Sequence, residues 1–130
     1  MKKRYFVRIV LAIAFVITIG RIAEAGLRAI QPVVANPTNR FGLGMLGSAY
    51  NSTDNTQFIL CGVNTAANSK SMTCTAKDST GVTVMCTTSN SNLINAVNGL
   101  PDSGYLTFNF DANGNCTSIR VEYASYSQPH

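Results

Sequence analysis

Three of the four cysteines, Cys61, Cys74 and Cys86, fall in a stretch from Phe58 to Thr88 that alternates apolar and polar residues with a period of two. In Phe58-Ile59-Leu60-Cys61-Gly62-Val63 one face holds Ile59, Cys61 and Val63. From Met72 to Lys77 the shared face is Met72, Cys74 and Ala76, and Val82, Val84 and Cys86 then alternate with Thr83, Met85 and Thr87. This period is the signature of half-buried β-strands, and threonine suits their pleated outer surface. Asp78-Ser79-Thr80-Gly81 has the chemistry of a tight hairpin turn, an acceptor side chain at its start and a glycine for positive φ at its end. Folding about it sets Ala76 opposite Val84 and Cys74 opposite Cys86. A fold-back through the polar segment Asn64 to Ser71 sets Cys61 opposite Cys74. Three sulfurs therefore share one buried face, and only two of them can be partners.

The chain opens with a basic cluster, Lys2, Lys3, Arg4 and Arg8, before an apolar run from Ile9 to Ile19. That run falls short of the roughly 20 apolar residues a membrane-spanning helix needs and fits the roughly 7 to 15 of a signal-peptide core. Ala23-Glu24-Ala25 offers an A-x-A cleavage site, which makes residues 1–25 a signal peptide. Val33-Val34-Ala35 is a second cleavage candidate, and Arg21, close after the apolar run, leaves an uncleaved membrane anchor as the alternative. No lipobox cysteine is present. Residues 26–41, with Pro32 and Pro37 and no clear periodicity, read as an extended leader or linker, and residues 42–130 as a disulfide-stapled β-rich domain. A mature chain of about a hundred residues is one domain.

Export changes the meaning of the formal net charge of +4. Lys2, Lys3, Arg4, Arg8 and Arg21 all precede the preferred cut, and the remaining Arg28, Arg40, Lys70, Lys77 and Arg120 balance Asp54, Asp78, Asp102, Asp111 and Glu122. A neutral mature chain lacks the basic footprint of a nucleic-acid binder. It also leaves few charges to guard sheet edges against association. Four cysteines behind an export signal point to an oxidising compartment and two disulfides among Cys61, Cys74, Cys86 and Cys116. Hairpin geometry favours Cys61 with Cys74 and Cys86 with Cys116, followed closely by Cys74 with Cys86 and Cys61 with Cys116. A four-cysteine metal site is disfavoured by the absence of any C-x-x-C spacing.

Outside that stretch, Gly42 to Asn51 reads as a first strand weakened by glycines. Ser89-Asn90-Ser91 supplies capping residues for a short amphipathic helix bearing Leu93, Ile94, Val97 and Leu100, stopped by Gly99 and Pro101. Its apolar stripe is expected to cover a sheet face. A second hairpin joins Tyr105–Phe110 to Cys116–Tyr123 through the Asn113-Gly114 turn signal, with Leu106, Phe108 and Phe110 set against Val121, Ile119 and Thr117. The tail from Ala124 to His130 is expected to lie along the surface.

Candidate chemistry is sparse. Asp111-x-Asn113-x-Asn115, with Glu122 as the twelfth residue, repeats the ligand spacing of a calcium loop, but Cys116 stands where the sharp turn needs glycine and the flanks are strands. A polar hairpin turn is the favoured reading, and a looser calcium site on Asp111, Asn113 and Asn115 is the weaker one. The lone histidine, His130, is the last residue, and no pair of acids stands out for glycosidase chemistry. A non-enzymatic protein without cofactor is the expectation, with a hydrolase as a minor alternative.

The run Gly47-Ser48-Ala49-Tyr50-Asn51-Ser52, the run Cys74-Thr75-Ala76-Lys77-Asp78, the triplet Asn115-Cys116-Thr117 and the Ser125-Tyr126 tail with Pro129 resemble small exported proteins of Gram-negative bacteria. That resemblance implies a secreted, periplasmic or cell-surface location and carries no functional residue across. The sequence as a whole predicts an α+β fold, a mainly antiparallel sheet of about five or six strands with one short packed helix and two disulfides. The expected role is a binding or structural module with a protein partner, self-association through sheet edges being its strongest form. The alternative is an exported inhibitor or effector acting through the disulfide-braced loop Asn64 to Ser71. Contact with a membrane is expected only transiently, through the signal peptide.

Overall fold

The computed structural model describes residues 29–123, so the signal-peptide and cleavage readings for residues 1–25, the tail and His130 lie outside the described residues. Among the described residues antiparallel strands dominate, arranged as two sheets rather than one, with seven strands instead of five or six and two short helices instead of one. In chain order these are β1 (Val34–Asn36), β2 (Phe41–Met45), helix α1 (Leu46–Tyr50), β3 (Phe58–Ala66), β4 (Ser69–Lys77), β5 (Thr83–Thr88), helix α2 (Ser91–Ala96), β6 (Tyr105–Phe110) and β7 (Cys116–Glu122). One sheet runs β1-β2-β6-β7, the other β3-β4-β5. Neither described helix is long and apolar enough to cross a membrane.

The three-stranded sheet follows the alternation of its sequence. Its register sets Cys61 against Cys74, Cys74 against Cys86 and Ala76 against Val84. Ile59, Met72, Cys74, Ala76, Val84 and Cys86 turn inward and are buried. The four-stranded sheet meets them with Val33, Ala35, Leu106 and Phe108, and the two inner faces form one core. Its large side chains are accommodated by the glycines of β2, which face Phe108 and Leu106 across the ladder as Gly42 and Gly44. A Cβ on Gly42 would lie 2.5 Å from Cζ of Phe108 and 2.8 Å from Cβ of Ala76, so the bare backbone there lets the sheets close.

Several expectations meet the structure at this point. The stretch 26–41 is not linker throughout, because β1 pairs with β2 and Val33 and Ala35 enter the core; the bracketing prolines hide an alternation only three residues long. The second cleavage candidate, after Ala35, falls inside this strand. The glycine-rich strand ends at Met45, where the chain turns into α1, whose small residues Gly47, Ser48 and Ala49 are buried and whose Gly47 carbonyl accepts from the Asn51 side chain. Finally, the β6–β7 register holds for Leu106 with Val121 and Phe108 with Ile119 but slips by one at the turn end, where Phe110 faces Cys116 and Thr117 is left as a bulge.

Two hairpin turns share one design. In each, the aspartate N–H donates to the carbonyl four residues on, from Asp78 to Val82 and from Asp111 to Asn115, and the glycine N–H donates back to the aspartate carbonyl. Gly81 and Gly114 have φ of 91° and 80°, the left-handed conformation such a closure demands. Helix α2 begins where expected, with Oδ1 of Asn90 accepting from the backbone of Asn92 and Leu93, and its Ile94 and the following Val97 are buried.

Candidate functional site

The three-strand meander places β3 at one edge of its sheet, with β4 in the centre. Thr73 and Thr75 of β4 are therefore central-strand residues. One edge is Phe58–Ala66, nine residues without charge or proline. Strands exposed in this way normally carry a charged residue, a proline or a bulge that blocks further pairing. None occurs within β3, whose partners within the described residues are those of β4 alone.

The disulfide fixes which backbone groups of β3 are free. Cys61 and Cys74 are bonded with their Cα atoms 4.0 Å apart, the close spacing of a non-hydrogen-bonded antiparallel pair. The N–H and C=O of Cys61 consequently point away from β4, and by the two-residue period so do those of Ile59, Val63 and Thr65. Four residues thus offer a row of donors and acceptors along the open edge, each alternating with a residue bonded to β4.

Side chains on the solvent face add apolar area beside that row. The register stacks Phe58 on Lys77 and Thr83, Leu60 on Thr75 and Met85, and Gly62 on Thr73 and Thr87. Phe58, Leu60 and Met85 are 39%, 46% and 56% exposed, large values for apolar side chains on a sheet. From Gly62 to Ser71 every residue is exposed, so the tip of the β3–β4 hairpin projects past the core with the Cys61–Cys74 bond at its base. Next to the start of β3, Leu46, Ala49 and Tyr50 of α1 and Gln57, Phe58 and Ile59 line a groove of about 460 Å³. Phe58 and Leu60 lie opposite the inward face that the cysteines mark, and their alternation with Ile59 and Cys61 makes β3 a strand apolar on both sides.

The second disulfide joins Cys86 to Cys116, 30 residues apart, and links the two sheets. The sulfurs of Cys74, Cys86 and Cys116 lie within 4.8 Å of one another, but each is bonded in a disulfide, which leaves no thiolate for a metal. At the calcium candidate, Oδ1 of Asp111 accepts from the N–H groups of Asn113 and Asn115 and Oδ2 accepts from the Asn115 side-chain amide. These bonds, the Asn115 amide foremost, hold the Asp111 carboxyl below the ordinary carboxylate range. Glu122 pairs with Tyr105 at the opposite end of the hairpin, away from Asp111. The polar turn accounts for the spacing, so Asp111, Asn113 and Asn115 form a hairpin closure.

The other turn acids are engaged in the same manner. The Thr80 hydroxyl, followed by backbone N–H groups, depresses Asp78, and the Gln57 backbone and side chain depress Asp54. Glu122 forms an ion pair with Arg120 on its own strand. Comparison with protein-family models, with curated proteins and with solved structures gave no match.

Proposed function

We propose that the protein is an exported, non-enzymatic binding module that accepts an extended segment of another polypeptide as an added strand along β3. The observation that carries this reading is the combination at one edge of nine uncharged residues with outward-facing backbone groups at Ile59, Cys61, Val63 and Thr65. Strand addition draws its affinity from main-chain hydrogen bonds and its selectivity from the pockets beside them. Here the groove between α1 and β3 stands at the end of the edge and supplies such a pocket. Two disulfides, with Cys74 and Cys86 almost wholly buried, support residence in an oxidising compartment outside the cytoplasm.

Selection of random displayed peptides on the intact protein, with Val63→Pro as the counter-target, tests the reading. Proline at Val63 removes an outward N–H and leaves the β3–β4 ladder whole, whereas proline at Asn64 would break that ladder. Selected peptides are expected to bind the parent and lose Val63→Pro; peptides that bind both equally would overturn strand addition. The projecting hairpin favours a second reading, an inhibitor that inserts the tip Asn64 to Ser71 into another protein. Sensitivity to substitution of Ala67 and Asn68, combined with indifference to Val63→Pro, would mark that outcome.

A further inference from the structure

Resting on the strand-addition reading, we infer that the segment β3 accepts is β3 of a second copy of this chain, paired antiparallel about a two-fold axis at Leu60. The alternation of outward and inward backbone groups is the first constraint. An antiparallel partner must set outward residues against outward residues, so the axis must pass through a residue and not between two. Centring on Gly62 pairs the most residues but sets Leu60 against Asn64. A centre at Cys61 sets Phe58 against Asn64, and one at Ile59 overlaps the two strands only from Phe58 to Leu60. With the axis at Leu60, Phe58 to Gly62 of each copy pair with one another, Leu60 meets Leu60, and Phe58 meets Gly62 of the second copy.

Side-chain space fits this register. A Cβ on Gly62 would have no heavy atom within 4 Å, so the glycine leaves an open patch on the solvent face. A phenyl ring opposite a strand glycine covers its bare backbone, and two-fold symmetry makes that contact twice. Leu60 against itself falls in a non-hydrogen-bonded pair, where facing side chains are closest. It completes a row Met85, Thr75, Leu60, Leu60, Thr75, Met85 across a six-stranded sheet. Each Lys77 lies beside Phe58 of its own copy, in a row that continues through Gly62 and Thr73 of the other, so no like charges are opposed. On the inward face, Val63 of the second copy comes opposite Gln57, at the wall of the 460 Å³ groove.

Growth through this sheet stops at two copies. The opposite edge of the sheet is β5, where the Thr87 N–H donates to the Gly114 carbonyl and Thr87 bridges Asn115. Cys86 on that strand is bonded to Cys116. With the Thr87 end of β5 engaged in this way and β3 used by both copies in a two-fold pairing, the three-stranded sheet closes as a dimer.

Sedimentation of the oxidised protein combined with disulfide trapping tests the inference. Leu60→Cys is expected to yield a covalent dimer under mild oxidation, since its two copies would occupy the same kind of close pair as Cys61 and Cys74. Gly62→Cys alone is expected to stay monomeric on non-reducing gels, while a mixture of Phe58→Cys with Gly62→Cys gives the covalent heterodimer. Leu60→Lys, which places two cations at the axis without touching the core, is expected to weaken dimerisation by about tenfold or more. Trapping through Gly62→Cys and not Leu60→Cys would overturn the register. Parent protein that remains monomeric at about 100 µM, a concentration at which even weak specific pairs associate, would overturn self-pairing. The peptide selection with Val63→Pro would still decide strand addition on its own.

Discussion

Cys116 reaches Cys86 because Thr117, the residue after it, is bulged out of the β6–β7 ladder. Ile119 and Val121 face the core on β7, and in an unbroken strand Thr117 would share their side while Cys116 pointed to solvent. The extra residue reverses that parity. Cys116 is consequently buried, Thr117 is exposed, and the sulfur lies against β5 of the other sheet.

The bond between sheets is expected to matter more for stability than the bond within one. Cys86–Cys116 spans 30 residues and Cys61–Cys74 spans 13. Chain-entropy reasoning assigns each a contribution of about 2 to 5 kcal/mol, the longer loop exceeding the shorter by somewhat under ~1 kcal/mol. Paired Cys→Ala variants compared by urea denaturation would show the difference, and a larger loss from the Cys61–Cys74 pair would contradict it.

Two glycines, Gly42 facing the core and Gly62 facing solvent, should respond in opposite ways to the same substitution. Gly42→Ala drives a methyl into the Phe108 ring and the Ala76 side chain, which is expected to cost about 1 to 3 kcal/mol. Gly62→Ala adds its methyl in open space on an extended strand and is expected to be neutral or to stabilise by up to about 0.5 kcal/mol. Thermal unfolding of both variants measures the contrast, and similar midpoints would show that the sheets do not close at Gly42.

Acid should weaken the hairpin turns. Hydrogen bonds to the ionised Asp78 and Asp111 lower their folded-state pKa below the unfolded value of about 3.9. Their contribution is therefore complete above about pH 4 and is lost as pH falls through the lowered folded value. Asp78→Asn combined with Asp111→Asn should flatten the acid limb of a melting-temperature profile relative to the parent. Parallel acid limbs would place the sensitivity elsewhere.

Much of this architecture is legible locally. The Asp78 turn fixes the β4–β5 register and hence the alignment of Cys74 with Cys86, and the Leu93, Ile94 and Val97 spacing with Asn90 ahead of it defines α2. What escapes is whatever depends on assembly. Val34 to Asn36 form a strand only because β2 lies alongside, and Met45 ends β2 because small residues let α1 pack behind it. The edge is less legible than the strands. Inward cysteines draw the eye to one face of β3, whereas the connectivity of a three-strand meander already makes its first strand an edge, with Phe58 and Leu60 on the open side.

Deletion of Thr117 tests the bulge directly. Removing one residue restores regular alternation from Glu122 back to the turn, and the cysteine now adjoining Ser118 takes an outward position on β7. Its sulfur can no longer reach Cys86 without moving the Asp111 turn, whose closure joins Asp111 to Asn115 by backbone and side chain together. The expected product is a protein with Cys61–Cys74 intact and the Cys86 and Cys116 thiols free to maleimide. Its stability should fall close to that of the Cys86→Ala, Cys116→Ala variant. Thr117→Ala keeps the residue count and is expected to leave both disulfides formed, because the exposed side chain makes no contribution to the bulge that alanine lacks. A deletion protein that still forms Cys86–Cys116 at parent stability would mean that the turn, and not the bulge, sets the parity of Cys116.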